Sequence, residues 1–164
     1  MKKILIAILS TLIITACSSS YEKLKNIESS NENTLKNHLL KVYKQKAEYE
    51  AEEMHDWNSA KLYSEKALDA LEGKEIRPQQ IKYWKLPKNY IFEITQSYNN
   101  LISVYDKAKK SDPYNLAVAI SSLDCWAEQQ EENWQTWDIN KCRNDFFNAM
   151  YNICLLYTSD AADE

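Results

Sequence analysis

Glycine occurs once in the 164 residues, at Gly73, and proline three times, at Pro78, Pro87 and Pro113. Sheets and their tight turns consume glycine, so this scarcity argues against a β-rich fold. With Lys, Glu, Leu and Ala plentiful, it predicts an all-α chain. A single glycine also leaves no material for a Gly-rich loop cradling phosphates. Histidine is nearly as rare: His38 and His55 are the only two, and neither sits in a His-Glu-x-x-His pattern. Basic charge is not in excess, the formal net charge being −4, so the chain has no nucleic-acid footprint. Glu52, Glu53, His55 and Asp56 have the chemistry of metal ligands, but acidic residues that leave one helix and cap the next account for them. No catalytic residue, cofactor or metal site is expected, and the chain is read as a non-enzyme.

What is present begins with the leader. Lys2 and Lys3 precede an apolar run from Ile4 to Leu9 that continues through Leu12, Ile13 and Ile14. The run falls short of the about 20 residues needed to cross a bilayer and ends in small residues, which is the pattern of a secretory signal. The stretch Leu12-Ile13-Ile14-Thr15-Ala16-Cys17 resembles a bacterial lipoprotein cleavage site. That resemblance implies cleavage after residue 16 and acylation of Cys17. At about 0.8 kcal/mol per buried methylene, two or three acyl chains hold almost permanently. Ser18, where the sorting rule of such lipoproteins places Asp for inner-membrane retention, implies an outer-membrane, periplasm-facing location.

Residues Cys154 to Glu164 resemble a translated transposase adapter from short-read library preparation and are set aside as a sequencing artefact. The chain is then expected to be a fragment whose natural sequence continues beyond Ile153. Four segments follow: a signal peptide over 1–16, a lipidated flexible tether over 17–33, a helical domain over 34–153 and the adapter-like tail over 154–164. The tether, rich in Ser, Asn, Glu and Lys, would average about 20 to 24 Å end to end as a flexible coil.

Five helices are expected in the domain, mostly as antiparallel hairpins. Thr34 is the N-cap of the first, running to about Met54 with Leu35, Leu39, Val42, Tyr43, Ala47, Tyr49, Ala51 and Met54 on one stripe. Asp56 caps the second, Trp57 to Leu71, which Gly73 stops. Only His55 and Asp56 separate the two, which forces a tight hairpin. Pro78 and Pro87 bracket a segment read as packed down over the core, with Trp84 as its anchor. A third helix spans about Lys88 to Lys110. Asp112-Pro113 opens the fourth, with Leu116, Ile120, Leu123 and Ala127 inward, and the fifth runs from about Asp138 with Ile139, Cys142, Phe146, Met150 and Ile153 on one side.

Two blocks carry family resemblance. The first hairpin, through Asp56-Trp57-Asn58-Ser59-Ala60 and Ala67-Leu68, partly resembles a tetratricopeptide unit, although Glu48 stands where its glycine is expected and no second copy follows about 34 residues on. The run Cys125-Trp126-Ala127-Glu128-Gln129-Gln130-Glu131-Glu132, followed by Cys142, together with Tyr49 to Trp57, resembles the N-terminal helical region of alphaproteobacterial OmpA-family lipoproteins. In that family a peptidoglycan-binding domain follows, and none of its wall-binding residues has a counterpart here. The resemblance implies a structural spacer between a lipid anchor and the wall, with peptidoglycan reached only through a missing C-terminal domain. The alternative is a tetratricopeptide-like adaptor binding envelope proteins. One helical hairpin cannot build the extended groove of stacked repeats, and that separates the two.

In an oxidising compartment, with Cys17 acylated and Cys154 set aside, Cys125 and Cys142 are the thiols left to pair. Both sit near six residues from a turn at about 131–136, so they lie level on antiparallel helices. The Glu128 to Glu132 run reads as a solvated helix end. Trp126, Trp134 and Trp137 read as packing anchors before they read as glycan platforms.

Overall fold

A computed structural model describes residues 20–160, with side chains through residue 156. Among the described residues every regular element is helical: α1 (residues 20–25), α2 (Leu35–Glu48) continuing as a π-helical segment (Tyr49–Met54), α3 (Trp57–Leu71), a 3-10 turn (Ile81–Tyr83), α4 (Lys88–Ser111), α5 (Pro113–Glu132) and α6 (Thr136–Asp160). None of these helices is long and apolar enough to cross a membrane. The signal peptide and Cys17 lie outside the described residues.

The helix ends follow local chemistry. Thr34 Oγ1 accepts from Asn37 N at 3.3 Å, Asp56 Oδ1 from Asn58 N at 2.8 Å, and Asp112 Oδ1 from Asn115 N at 3.1 Å with Pro113 in the first turn. Gly73 holds φ +82°, the left-handed conformation that glycine adopts without steric cost. The one departure within the first hairpin is the last turn before it. Tyr49 to Met54 widens into a π-helix, whose reversal closes when the His55 and Asp56 amides both donate to the Glu50 carbonyl, His55 standing at φ 56°. This wide turn carries Glu50 and Ala51 inward together and leaves Tyr49 on the surface.

α5 is the centre of the bundle, packed against α2, α4 and α6. Every residue from Ala119 to Gln130 is buried. This corrects the first three residues of the Glu128 to Glu132 run read as a solvated end: Glu128, Gln129 and Gln130 are 4 %, 1 % and 2 % exposed, because α2, α3 and α6 close around the last turns of α5, while Glu131 is half-buried and Glu132 exposed. Asp124 is buried in the same way. It accepts from Tyr43 Oη at 2.6 Å, Lys66 Nζ at 2.5 Å and Gln79 N at 2.6 Å, while Lys66 Nζ also donates to Arg77 O at 2.8 Å. These bonds fasten the proline-bracketed segment to the bundle. Trp84 is buried within that segment, but Tyr83 points out.

The tether also needs correcting from residue 20 onward. α1 buries Tyr21 and Leu24 against the core, Tyr21 Oη donates to Glu52 Oε1 at 2.7 Å, and Lys44 Nζ donates to the carbonyls of Lys25 and Ile27. Two apolar side chains suffice to dock a short amphipathic turn where the hairpin offers a complementary surface. α6 begins two residues before the expected Asp138 and continues through residues 154–160, yet Ile153 is its last buried side chain among those described. Helix propagation needs only backbone hydrogen bonds and no breaker, so α6 outlasts its own core contact. On the predicted stripes, Ile91 is exposed and Tyr98 and Met150 are half-buried, since each lies at the edge of its helix's inner face.

Candidate functional site

α2 with its π-helical end, α5 and α6 enclose a cavity of about 370 Å3, within the range that small-molecule sites occupy. Val42, Tyr49, Tyr114 and Val118 supply apolar and aromatic lining, and Lys46, Glu50, Gln129 and Asp138 are among its polar lining. The Cys125–Cys142 disulfide forms part of the wall, joining α5 to α6 with the Cα atoms 5.7 Å apart, inside the normal span of a bridge.

Lys46, half-buried on the cavity wall, makes no ion pair or hydrogen bond with another described side chain, and desolvation, reinforced by the Lys141 ammonium, lowers its pKa to about 8. One turn on, Glu50 is 3 % exposed. Burial first, then the carboxylates of Glu128, Asp56 and Glu132, push it up to about 8 against the opposing pull of Lys46. Asp138 also lines the cavity and accepts from Tyr49 Oη at 3.1 Å.

Behind Glu50 three carboxylates converge. One oxygen each of Glu50, Asp56 and Glu128 can be chosen so that all lie within 4.8 Å of one another. Glu128 Oε1 accepts from Ser59 Oγ at 2.9 Å and Glu128 Oε2 from Gln129 Nε2 at 2.9 Å. Burial raises Glu128 to about 7, although the Ser59 bond works in the other direction. The oxygen of the Gln129 amide is buried without a partner, an arrangement that costs about 1 to 3 kcal/mol if nothing fills it. Gln129 and Glu50 face the same cavity.

The residues singled out from sequence fare differently. Cys125 and Cys142 are joined, and Cys17 lies outside the described residues. Glu52, Glu53, His55 and Asp56 do not gather: Glu52 is held by Tyr21 and Lys25, His55 Nδ1 faces the Ala51 carbonyl, and Asp56 caps α3. His38 pairs with Asn33 Oδ1 at 2.7 Å. Of the three tryptophans, Trp126 is fully buried, but Trp134 and Trp137 are 63 % and 64 % exposed, because the tight α5–α6 turn swings them away from the core. Glu50, Glu128 and Gln129 were missed as a group. A signal for their burial was available, since no charged residue occurs from Tyr114 to Leu123 and small residues occupy all sides of that stretch of α5. A helix surrounded in its first half stays surrounded at its end when the same partners run alongside. No family model, no curated protein and no solved structure matches this chain.

Proposed function

We propose that this chain is the lipid-anchored helical module of an outer-membrane lipoprotein of the OmpA-family kind, facing the periplasm. It acts as a non-catalytic spacer and interaction domain. In its full-length protein a further domain grips peptidoglycan, so that the whole links membrane to wall. The observation that carries the reading is the Cys125–Cys142 bridge, since a disulfide between two buried thiols belongs to an oxidising compartment. The lipoprotein-like site ending in Cys17 supports the same compartment independently. The packing of α1 onto the bundle sharpens the geometry: the stretch between acylated Cys17 and the first packed residues is only a few residues long, so the domain sits against the headgroups.

Metabolic labelling with a fatty-acid analogue, followed by separation of inner and outer membranes, tests the anchor. Label in the outer-membrane fraction that disappears in Cys17→Ser is expected, and equal labelling of the mutant overturns the anchor. The wall-linking role is tested by sedimentation with purified peptidoglycan. The full-length product should pellet with it and the chain described here should not.

A further inference from the structure

We infer that Glu50, Asp56, Glu128 and the amide oxygen of Gln129 form a binding site for one oxygen-seeking divalent cation, calcium by preference, beside the cavity that Glu50 and Gln129 line. The site rests on side chains that the spacer role does not use.

The geometry favours a single ion. Calcium binds oxygens at about 2.4 Å, so two ligands on opposite sides of it stand about 4.8 Å apart and adjacent ones closer. One oxygen each from Glu50, Asp56 and Glu128 fits inside that span. Each carboxylate also has capacity to spare. Asp56 Oδ1 is committed to the first amides of α3, which leaves Oδ2 for a ligand. Glu128 is oriented by Ser59 Oγ and the Gln129 amide nitrogen, as the neighbours of a ligating carboxylate orient it in metal sites generally.

The second and independent observation is the Gln129 oxygen. The side chain is 1 % exposed, and its nitrogen is held on Glu128 Oε2 at 2.9 Å. That places the amide at the edge of the carboxylate cluster, while the oxygen has no donor to accept from. An unpartnered buried amide oxygen on a side chain bonded to one of the three acids is a natural calcium ligand and a poor neighbour for anything except a cation or a donor. No histidine or cysteine belongs to the group, which argues against zinc. Mg2+ demands a near-octahedral shell and dehydrates reluctantly, so a cluster fixed on three separate elements suits calcium better. Entry is through the cavity that Glu50 and Gln129 line, from which water completes the coordination.

The test uses the whole soluble chain from residue 18, stripped with chelator. Calorimetric titration with CaCl2 at pH 8 should give one site with a dissociation constant of about 10⁻⁵ to 10⁻³ M, and the thermal midpoint should rise with calcium. Tb3+ in the same site should be sensitised by Trp57, which follows Asp56 directly. Glu50→Gln should weaken binding at least tenfold. Asp56→Asn should do the same while keeping the helix cap, since Asn caps as well as Asp, so this variant guards against a folding failure. Absence of heat, thermal shift and Tb3+ emission at 10 mM metal overturns the site. So does binding that both variants leave unchanged, which would place the metal on surface acids. A third overturning result is a Glu50→Gln protein stabilised at pH 8 with wild type indifferent to calcium, which would make the cluster a proton-sharing carboxyl pair.

Discussion

Replacing Asp124 by Asn should be among the most damaging single changes this bundle can suffer. The carboxylate is 1 % exposed and receives three donors: the Lys66 ammonium, the Tyr43 hydroxyl and the Gln79 amide. An Asn at this place keeps one acceptor oxygen but presents a second group that is itself a donor, and it removes the one carboxylate among the described residues within 4 Å of Lys66 Nζ. Lys66 then keeps just the Arg77 carbonyl. Breaking a buried pair by deleting one partner costs about 3 to 5 kcal/mol, a large share of the about 5 to 15 kcal/mol that holds a domain folded. Urea denaturation with the disulfide intact reads this out. At a slope of about 2 kcal/mol/M, a loss of about 4 kcal/mol moves the midpoint down by about 2 M. The companion Lys66→Met removes the uncompensated ammonium, so the double variant Asp124→Asn, Lys66→Met should be more stable than Asp124→Asn alone. Proteolysis should cut first between Lys74 and Lys85 in the single variant, because the one remaining oxygen cannot serve Gln79 N and the Tyr43 and Lys66 donors as the two carboxylate oxygens do, which weakens the hold on that segment. A midpoint within 0.5 M of wild type, or a double variant whose loss equals the sum of the two singles, would refute the reasoning.

In chelator, stability should fall as pH rises from about 5 to 8. The folded-state pKa values of Glu50 and Glu128 are raised to about 8 and about 7, so in this window the folded state binds more protons than the unfolded one and alkalinity favours unfolding. Glu50→Gln should flatten the slope of midpoint against pH, and a slope unchanged in that variant would count against the burial of its charge. Reducing the Cys125–Cys142 bridge, or the variant Cys142→Ser, should cost about 3 kcal/mol for a closed loop of this size, measured by denaturation with and without reductant. Leu24→Ala should cost about 2 to 5 kcal/mol if α1 docks as described, and should expose residues 26–33 to protease without unfolding α2 to α6. Equal protection of that segment in both proteins would show that Leu24 does not hold it.

Much of the helical frame was legible because helix ends are decided within four residues of themselves. Thr34, Asp56, Gly73 and Asp112-Pro113 mark their boundaries by capping chemistry and dihedral preference alone, and a two-residue link leaves the first hairpin no other geometry. The level placement of Cys125 and Cys142 follows from helix rise in the same way, and the structure joins them. The candidate site was not legible. Glu50 comes from a π-helical turn that periodicity reads as ordinary α-helix, and Glu128 and Gln129 lie in a run whose composition reads as solvent-facing.

Local sequence therefore determined the main helices from residue 34 onward, most of their ends and which cysteines can meet, but not the docked turn at residues 20–25. Tertiary structure decided which faces are inside. A helix contacted along one stripe advertises it by periodicity, whereas α5 is enclosed by several elements, so the stripe of Leu116, Ile120, Leu123 and Ala127 accounts for only part of its buried surface. Burial of a Glu or Gln depends on donors brought from distant segments, such as Ser59 for Glu128, and one position's residue type carries no record of them. The docking of Tyr21 and Leu24 and the outward turn of Trp134 and Trp137 belong to the same class, since each depends on whether a complementary surface arrives from elsewhere in the chain.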